Sequence, residues 1–549
     1  MDAPTLPVAA VRRPQVLEAG LFLLVVALPL AFFPLSRNEF LEVKLLLLAG
    51  GTLLVLASGV PADRRLALPA SAWAGVLVLA GITGVDRVES LVGTISATGL
   101  AMLLCAAALV VVAPNVPTPL WERARGWLVG TGVAVAAVMV IARVSPELLE
   151  PLGRHVRFNG STLGNPVYAV GFLAACIPAA LARERGTWRG VLLFAVLGAG
   201  FAVAEERSAW LMPVAALAAS AWLVRPGGRR LALAACTIGA VVALWIFVPA
   251  LADRGGPGDR FTAVGQFQTL KGERQRVALY GANLRAVAER PLLGWGPANG
   301  WTGFLSSGTP EQIEQAGRYW ADAHNLFLEL GVTSGLVGLA VFGWLLVRLV
   351  PRALRPIPER RWLAAVAATL GVYALVEPLD VMLTPLLLLF AAAATGGRED
   401  EATVPARRAR GSRVALVAAI GGVTALAGVN LTASALEEWG HTHYEADWAL
   451  RAAVDLAPWR LTASEALATS LAVSGRAGDE GAGVEARAVV ATVVGRHPRN
   501  PGVRLLAADI ELLLRNFPGT QDWIREQLEV FPSDTLVVPL VEPGTSLPA

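Results

Sequence analysis

Long apolar runs constrain this chain more than any other feature of its sequence. Over the first 430 residues, segments of 15 to 25 mostly apolar residues follow one another at short intervals. Runs of this length cross a bilayer as helices, because a helix satisfies its own backbone hydrogen bonds where water is absent. Charged residues make up 16% of the 549, whereas soluble domains carry about 25%. The pattern excludes a water-soluble enzyme and predicts an all-α, polytopic membrane protein.

The apolar runs define thirteen candidate spans, so we expect a bundle of about 12 or 13 transmembrane helices. The spans are 16–34, 41–58, 70–85, 94–113, 126–143, 163–182, 189–204, 208–224, 231–251, 324–347, 362–377, 381–395 and 413–432. The first follows Arg12 and Arg13 and shows no small-residue cleavage site. It is therefore interpreted as an uncleaved anchor.

The distribution of arginine predicts the orientation. With a cytoplasmic N-terminus, the inner loops carry 22 arginines and the short outer loops carry six, as the positive-inside rule requires. Thirteen spans then place the long loop 252–323 and everything after residue 432 outside the cytoplasm. We expect a transmembrane domain over 1–432 that includes this loop, and an extracytoplasmic helical domain over 433–549.

The C-terminal segment is polar and has the residue pattern of helices. Pro458, Pro498 and Pro532 are spaced by 40 and 34 residues, which is close to the period of about 34 residues in tetratricopeptide repeats. We predict a domain similar to tetratricopeptide repeats (TPR-like), with an irregular helical domain as the alternative. Neither form is expected to carry catalytic residues.

Composition and missing motifs restrict the chemistry. A net charge of +3 is too small to indicate a nucleic-acid partner, and the three cysteines lie in apolar runs without CxxC spacing. The motifs GxxxxGK[ST], HExxH, GxSxG and DxD are absent. The sequence therefore lacks the residues required for ATP hydrolysis, for a zinc peptidase, for a serine hydrolase and for metal-dependent transfer from nucleotide sugars. We identify no cofactor or metal motif and expect a reaction that needs neither.

The first polar stretch that carries candidate site residues is 157–166, directly before an apolar span. Arg157 and Asn165 flank turn-forming glycines and hydroxyl residues. A helix start beside an arginine can bind an anion, because the first backbone N–H groups of a helix have no partner within the helix and can donate to the anion. An ordinary capped helix start is the alternative interpretation.

The second stretch is a tight turn between two spans, where Arg207 follows Glu205 and Glu206. An arginine on the outer side is unusual here, because most arginines lie on the inner side. A cation at the membrane surface is also energetically unfavourable unless an anion binds it. Arg207 is therefore a candidate for binding an anionic substrate. The alternatives are that it pairs with the neighbouring glutamates or extends to lipid headgroups.

The third stretch is the end of the long loop. Its candidates are Arg274, Arg276, Gly294, Gly296, His324 and Asn325. Residues 275–289 can form an amphipathic helix on the membrane that presents Arg276, and the two glycines permit a sharp loop. His324 opens the next span, where an imidazole can accept the proton of a hydroxyl nucleophile. A purely structural histidine is the alternative.

In their order along the chain, these stretches resemble the O-antigen ligase and polymerase superfamily of bacterial envelope glycosyltransferases. The resembling elements are Arg-Phe-x-Gly-Ser-x-Leu-Gly-Asn-Pro from position 157, Arg-Ser-Ala-Trp from 207, Arg276 four residues before Tyr280, Pro-Leu-Leu-Gly-Trp-Gly from 291, and His324-Asn325 followed by Glu329, Gly331, Gly335 and Leu336. The resemblance covers roughly 15–395. This sequence differs from the family pattern at Glu206, where serine is common, and at Val167, where asparagine is common.

The resemblance implies metal-independent, inverting transfer of a glycan from undecaprenyl diphosphate to an acceptor hydroxyl at the extracytoplasmic face of a bacterial inner membrane. By this resemblance, Arg207 and Arg276 match diphosphate-binding arginines and His324 matches the residue that activates the acceptor. We predict these three as catalytic residues. The predicted substrate-binding residues are Arg157, Asn165, Arg274, Gly294, Gly296 and Asn325. The acceptor, whether lipid, glycan or protein, stays open, and membrane lipids are expected partners.

Three alternatives remain at this point. Within the enzyme class, a repeat-unit polysaccharide polymerase would share the same site. A solute or bicarbonate transporter would place polar or charged residues at mid-span depth, whereas the inner halves of these spans are almost uniformly apolar. A scaffold would recruit partners through residues 433–549.

Overall fold

The computed structural model describes residues 13–93, 98–152, 161–183, 188–204, 208–247, 271–317, 320–377, 380–396, 406–443, 446–534 and 537. Within these ranges all regular secondary structure is helical, and they contain no strand. The predicted all-α fold is thereby confirmed. Two of the predicted site residues, Arg157 and Arg207, lie outside the described residues.

Each of the thirteen apolar runs coincides with a helix, but the helices differ in length. Six described helices are long and apolar enough to cross a membrane: Arg64–Thr83, Thr118–Val144, Pro166–Arg183, Gly228–Trp245, Leu326–Ala353 and Val414–Thr442. Five apolar helices are shorter: Pro14–Leu30, Leu100–Asn115, Trp188–Ala204, Leu211–Val224 and Leu383–Ala394. The remaining two runs form Leu41–Ala57 and Arg361–Ala374.

Helix length explains why the sequence predicted 12 or 13 spans while six helices have full spanning length. At about 1.5 Å per residue, a helix of about 14 residues is about 21 Å long, which is less than the roughly 30 Å hydrocarbon core. Hydropathy alone does not distinguish such a helix, buried within a bundle, from a complete span. The structure supports a multi-pass membrane protein.

The apolar helices share one hydrophobic core. Trp73, Trp121 and Trp362 are almost completely buried in it. At Gly20 the backbones approach so closely that an added Cβ would lie 2.9 Å from the carbonyl oxygen of Gly51. Lipid is as apolar as this core, so close packing between small residues, and not the hydrophobic effect, holds such helices together.

One end of the bundle is closed by Arg360, which is buried. Its guanidinium donates to the carbonyl oxygens of Pro114 at 3.0 Å, Ala393 at 2.6 Å and Val116 at 2.7 Å. These carbonyls lie at helix ends, where intrahelical donors run out. One side chain thus satisfies three carbonyl groups at the ends of two helices, Leu100–Asn115 and Leu383–Ala394.

The opposite end of the bundle carries residues 271–325 and is called the loop end below. Its helices are Lys271–Glu289, Gly300–Ser307 and Pro310–Ala316. They surround a small hydrophobic cluster, called the loop-end cluster, of Leu279, Ala282, Phe304, Leu305, Ile313, Ala316, Trp320 and Phe531, with Tyr280, Trp301 and Val530 packed against it. The predicted amphipathic helix 275–289 therefore exists and begins four residues earlier.

Helix Ala406–Thr442 runs through the predicted domain boundary at residue 432 and leads into five shorter helices. These are Asp447–Leu456, Leu461–Arg476, Glu480–Arg496, Pro501–Leu513 and Phe517–Val530. Consecutive helices pack against each other around a second hydrophobic core. The side chains of Asp479, Asn500 and Asn516 cap three of the helix starts. The TPR-like assignment stays a prediction.

Candidate functional site

The helix that begins after His324 is interrupted. Leu326–Ala353 breaks at Gly335, whose φ is 68°, and the loop 291–296 runs along the break. The amide of Trp295 donates to Val332 O at 2.9 Å, and that of Leu336 donates to Pro291 O at 2.7 Å. The loop therefore supplies partners for backbone groups that the interruption removes from the helix.

Gly294 and Gly296 belong to this loop and are buried. Their φ angles are 68° and 101°. An added Cβ would lie 2.3 Å from Val332 O at Gly294 and 2.6 Å from Ser90 Oγ at Gly296. Both positions thus need glycine for close packing. Contact of these two glycines with substrate stays a prediction.

Asn325 caps the start of the interrupted helix. Its Oδ1 accepts from the amides of Phe327 and Leu328 at 3.0 Å each, and its Nδ2 donates to Leu375 O at 2.8 Å. Leu375 begins the turn after helix Arg361–Ala374. Asn325 therefore joins the two helices at the loop end, next to His324.

His324 is held in a constrained conformation beside Asp322. Its φ of 49° is left-handed, which is uncommon for a residue with a Cβ. One carboxylate oxygen, Asp322 Oδ1, accepts from the His324 amide at 2.8 Å and lies 2.7 Å from Nδ1. With Nδ1–H on the carboxylate, Nε2 carries the lone pair of the neutral ring. The imidazole is arranged as an oriented proton acceptor.

Two aromatic residues contact His324. The Trp320 ring meets the imidazole edge-to-face with centroids 4.6 Å apart. Tyr280 Oη donates to the carbonyl oxygen of His324 at 3.3 Å. Both aromatic residues belong to, or pack against, the loop-end cluster, so this cluster contacts His324 at its side chain and at its backbone.

Arg276 lies one helical turn before Tyr280 and reaches the turn 375–377. Its Nη1 donates to Val376 O at 2.9 Å, and its Nη2 lies 3.7 Å from Glu377 Oε1. The latter is an ion pair beyond hydrogen-bond distance, and the arginine side chain is 40% exposed. Arg276 and Asn325 bind neighbouring carbonyls of the same turn, so the structure brings Arg276, His324 and Asn325 together.

The other described candidates lie in different settings. Arg274 is exposed on the same helix as Arg276. Asn165 is half-buried at the start of helix Pro166–Arg183, where its Oδ1 accepts from the Val167 amide at 2.9 Å. This is the capping arrangement that was the alternative interpretation of this stretch, and substrate binding by either residue stays a prediction.

Sequence reasoning gave no role to Lys44 and Asp380, two buried charges. Lys44 Nζ donates to the carbonyl oxygens of Ala31 and Thr162. Asp380 Oδ1 accepts from the amides of Met382 and Leu383 in the connection before helix Leu383–Ala394. Burial raises the pKa of Asp380 to about 7, against the opposing effect of those amides and of Lys44. A lysine inside an apolar run was the available signal.

Comparison with known families gives one match. Residues 192–343 match the family described as O-antigen ligase. The matched range begins in helix Trp188–Ala204, includes the loop-end helices and ends within the interrupted helix, and it contains Arg276, His324 and Asn325. A comparison with curated proteins gave no match.

Proposed function

We propose that this protein, whose residues 192–343 match the family described as O-antigen ligase, transfers a glycan from a lipid-linked diphosphate to an acceptor hydroxyl. The family supports a ligase- or polymerase-type membrane glycosyltransferase. The finer parts of the proposal are an undecaprenyl diphosphate donor, inversion at the anomeric carbon and independence of metal ions. The observation that carries it is the imidazole of His324, which is oriented by Asp322. The partly exposed side chain of Arg276 lies in the same part of the structure, because Arg276 and Asn325, the residue after His324, bind the neighbouring carbonyls of Val376 and Leu375.

In the proposed reaction the acceptor oxygen attacks the anomeric carbon of the donor sugar. His324 Nε2 takes the hydroxyl proton as the new glycosidic bond forms. The bond from the anomeric carbon to the diphosphate breaks, and the diphosphate leaves with the bonding electrons. A single displacement of this kind inverts the configuration at that carbon. Asp322 holds Nδ1–H and stabilises the imidazolium that forms.

The role proposed for arginine is electrostatic. Arg276, and Arg207 by the family resemblance, would meet the negative charge that grows on the diphosphate. Losing one such preorganised contact costs about 3 kcal/mol of transition-state stabilisation, which corresponds to about a hundredfold in kcat. Arg157 is a further candidate for the lipid phosphates. The other predicted substrate-binding residues, Asn165, Arg274, Gly294, Gly296 and Asn325, belong to the same proposal.

The proposed setting is the extracytoplasmic face of a bacterial inner membrane. In that orientation the loop end and the C-terminal helices lie outside the cytoplasm, where a flipped lipid-linked glycan is available. Membrane lipids surround the bundle, and the acceptor is a lipid, a glycan or a protein that offers a hydroxyl group.

The test is glycan transfer by purified full-length protein in detergent, with undecaprenyl-diphosphate glycan and candidate acceptors. We expect His324→Ala to lower kcat by at least about a hundredfold, the lower limit for loss of a general base. His441→Ala is the control, because His441 is exposed near the end of helix Ala406–Thr442. Retained activity in His324→Ala, with the protein inserted and folded, would remove His324 from the mechanism.

Ligation and polymerisation fit the family match equally, and their products distinguish them. A polymerase gives a ladder of glycan lengths that disappears when the protein is deleted. Deletion of a ligase leaves the ladder of glycan lengths intact on the lipid carrier, and only the final acceptor lacks glycan.

A further inference from the structure

The end of the C-terminal domain contributes a residue to the loop-end cluster, which contacts His324. Phe531 directly follows helix Phe517–Val530, is 1% exposed and is a member of the loop-end cluster. The other members of this cluster come from residues 279–320. A residue more than 200 positions further along the chain thus completes the core of the loop end.

This cluster contacts His324 in two ways. Trp320, a member, packs edge-to-face on the imidazole, and Tyr280, which packs against the cluster, donates its hydroxyl to the His324 carbonyl. The left-handed backbone of His324 is intrinsically disfavoured for a residue with a Cβ. Such a conformation persists only when its surroundings hold it, and two of the surrounding contacts come from the cluster that Phe531 completes.

Polar contacts among the C-terminal domain, the loop end and the turn at Asp86 in the membrane helices fix the C-terminal domain in place. His497 Nδ1 lies 2.6 Å from Asp86 Oδ2, and both side chains are buried. Asn299 Nδ2 donates to the carbonyl oxygen of Asp86 at 3.1 Å. Thr302 Oγ1 donates to Arg499 O at 3.3 Å. The loop end is therefore packed between the membrane helices and the C-terminal domain.

We infer that Phe531 is a positioning residue for His324: it completes the loop-end cluster that holds Trp320 and Tyr280 against the histidine. The C-terminal domain is then a structural part of the active site and not a separate recruitment module. The catalytic consequence rests on the proposed function, whereas the structural consequence does not.

The structural consequence is tested by hydrogen exchange on the full-length protein in detergent. Phe531→Ala is expected to raise amide exchange in residues 320–329 by about tenfold or more, because local opening becomes more frequent. Phe517→Ala is the matched control, since Phe517 is a phenylalanine of the same domain that is 54% exposed. Unchanged exchange in this segment of Phe531→Ala would overturn the inference whether or not the protein is a glycosyltransferase.

The catalytic consequence is tested by separating kcat from KM for the lipid-linked donor. Phe531→Ala is expected to lower kcat by about tenfold to a hundredfold, as small displacements of a catalytic group do. KM is expected to stay within about twofold, because Phe531 packs in the loop-end cluster and none of the proposed substrate-binding residues is a member of that cluster. Phe531→Leu, which keeps an apolar side chain, is expected to restore most of kcat.

The outcomes separate the two proposals. A raised KM with unchanged kcat in Phe531→Ala overturns the positioning role, and so does a wild-type kcat. If Phe531→Ala fails to accumulate, Phe531→Leu and Phe531→Val replace it, and wild-type exchange and kcat in Phe531→Val count against the inference. Full activity of His324→Ala removes His324 from the mechanism, and an absence of glycan transfer by the wild-type protein defeats the proposed function. In either case the exchange experiment still decides whether Phe531 stabilises the segment around His324.

Discussion

At the scale of single residues, the Oδ1 atom of Asp322 makes two contacts with His324. It accepts from the amide of His324 and from its ring nitrogen, so it constrains the strained backbone and the ring orientation together. The two residues are only two positions apart, which makes the contact local and dependent on the left-handed φ of His324. Proton transfer needs both the correct tautomer and the correct direction of the lone pair.

This arrangement predicts the effect of Asp322→Asn. We expect kcat to fall by about 10² to 10⁴, because the amide does not stabilise an imidazolium and can select the wrong tautomer. Steady-state kinetics of the double variant Asp322→Asn/His324→Ala supplies the control. Its kcat should be no lower than that of His324→Ala alone. Additive losses in the double variant would show that Asp322 acts independently of His324.

Arg276 gives the second prediction. Arg276→Gln is expected to lower kcat/KM for the lipid-linked donor by about a hundredfold, and Arg276→Lys is expected to recover only part, because lysine lacks the planar fork. Arg285→Gln, an exposed position on the same helix, serves as the control and should retain wild-type kcat/KM. Equal losses in the Gln variants at 276 and 285 would indicate a general surface-charge effect.

The sequence pointed to His324 and Arg276 because both lie in stretches that resemble the family, and their catalytic roles stay predictions. The Asp322 contact was not predicted, because a two-residue pairing depends on a backbone angle that composition does not encode. Lys44 is one of two lysines in the sequence, but nothing in the sequence shows that its amino group donates to the carbonyls of Ala31 and Thr162. The part of the site that lies outside the described residues, with Arg157 and Arg207, remains a prediction.

At the scale of elements, the interrupted helix positions the site. The apolar pattern predicted one span over 324–347, and hydropathy gives no sign that Gly335 leaves the helical conformation. The break lets the loop 291–296 pair with both helix segments. Through this pairing the short first segment, which begins at Leu326 and is capped by Asn325, is fixed against the loop that follows helix Lys271–Glu289.

Gly335 and Gly343, in the same apolar helix, form a matched pair for the third prediction. An added Cβ at Gly335 would lie 2.3 Å from Leu292 O, whereas at Gly343 nothing lies within 4 Å. Gly335→Ala is expected to reduce the free energy of unfolding by about 2–4 kcal/mol, through strain and overlap. Gly343→Ala is expected to change it by less than about 1 kcal/mol, towards stabilisation.

Thermal or denaturant unfolding in detergent measures the two glycine variants side by side. Equal stability of Gly335→Ala and Gly343→Ala would mean that the break at Gly335 is not needed for packing. Gly335→Ala should also lose glycan transfer at temperatures where the wild type is stable, because the first helix segment carries the cap beside His324.

At the scale of the whole molecule, the C-terminal domain is joined to the membrane helices by buried charges as well as by Phe531. Arg460 forms ion pairs with Glu42, in helix Leu41–Ala57, and with Glu437, at the end of helix Ala406–Thr442. All three side chains are buried. The sequence indicated a separate helical domain after residue 432, but not this junction, because its partners are separated by up to 418 positions.

The junction gives the last prediction. Arg460→Met removes the shared cation, so the buried Glu42 loses its ion pair and the buried Glu437 keeps only the longer one, to Arg37 at 3.7 Å. The free energy of unfolding should therefore fall by about 3–5 kcal/mol. Arg451→Ala is the matched control, because its pair with Glu485 is 44% and 40% exposed and should contribute less than about 1 kcal/mol. Adding Glu42→Gln and Glu437→Gln to Arg460→Met should recover part of the loss, because the uncompensated charge is then gone. Unfolding in detergent compares the three variants with the wild type. A loss in Arg460→Met no larger than in Arg451→Ala would mean that this junction does not hold the two parts together.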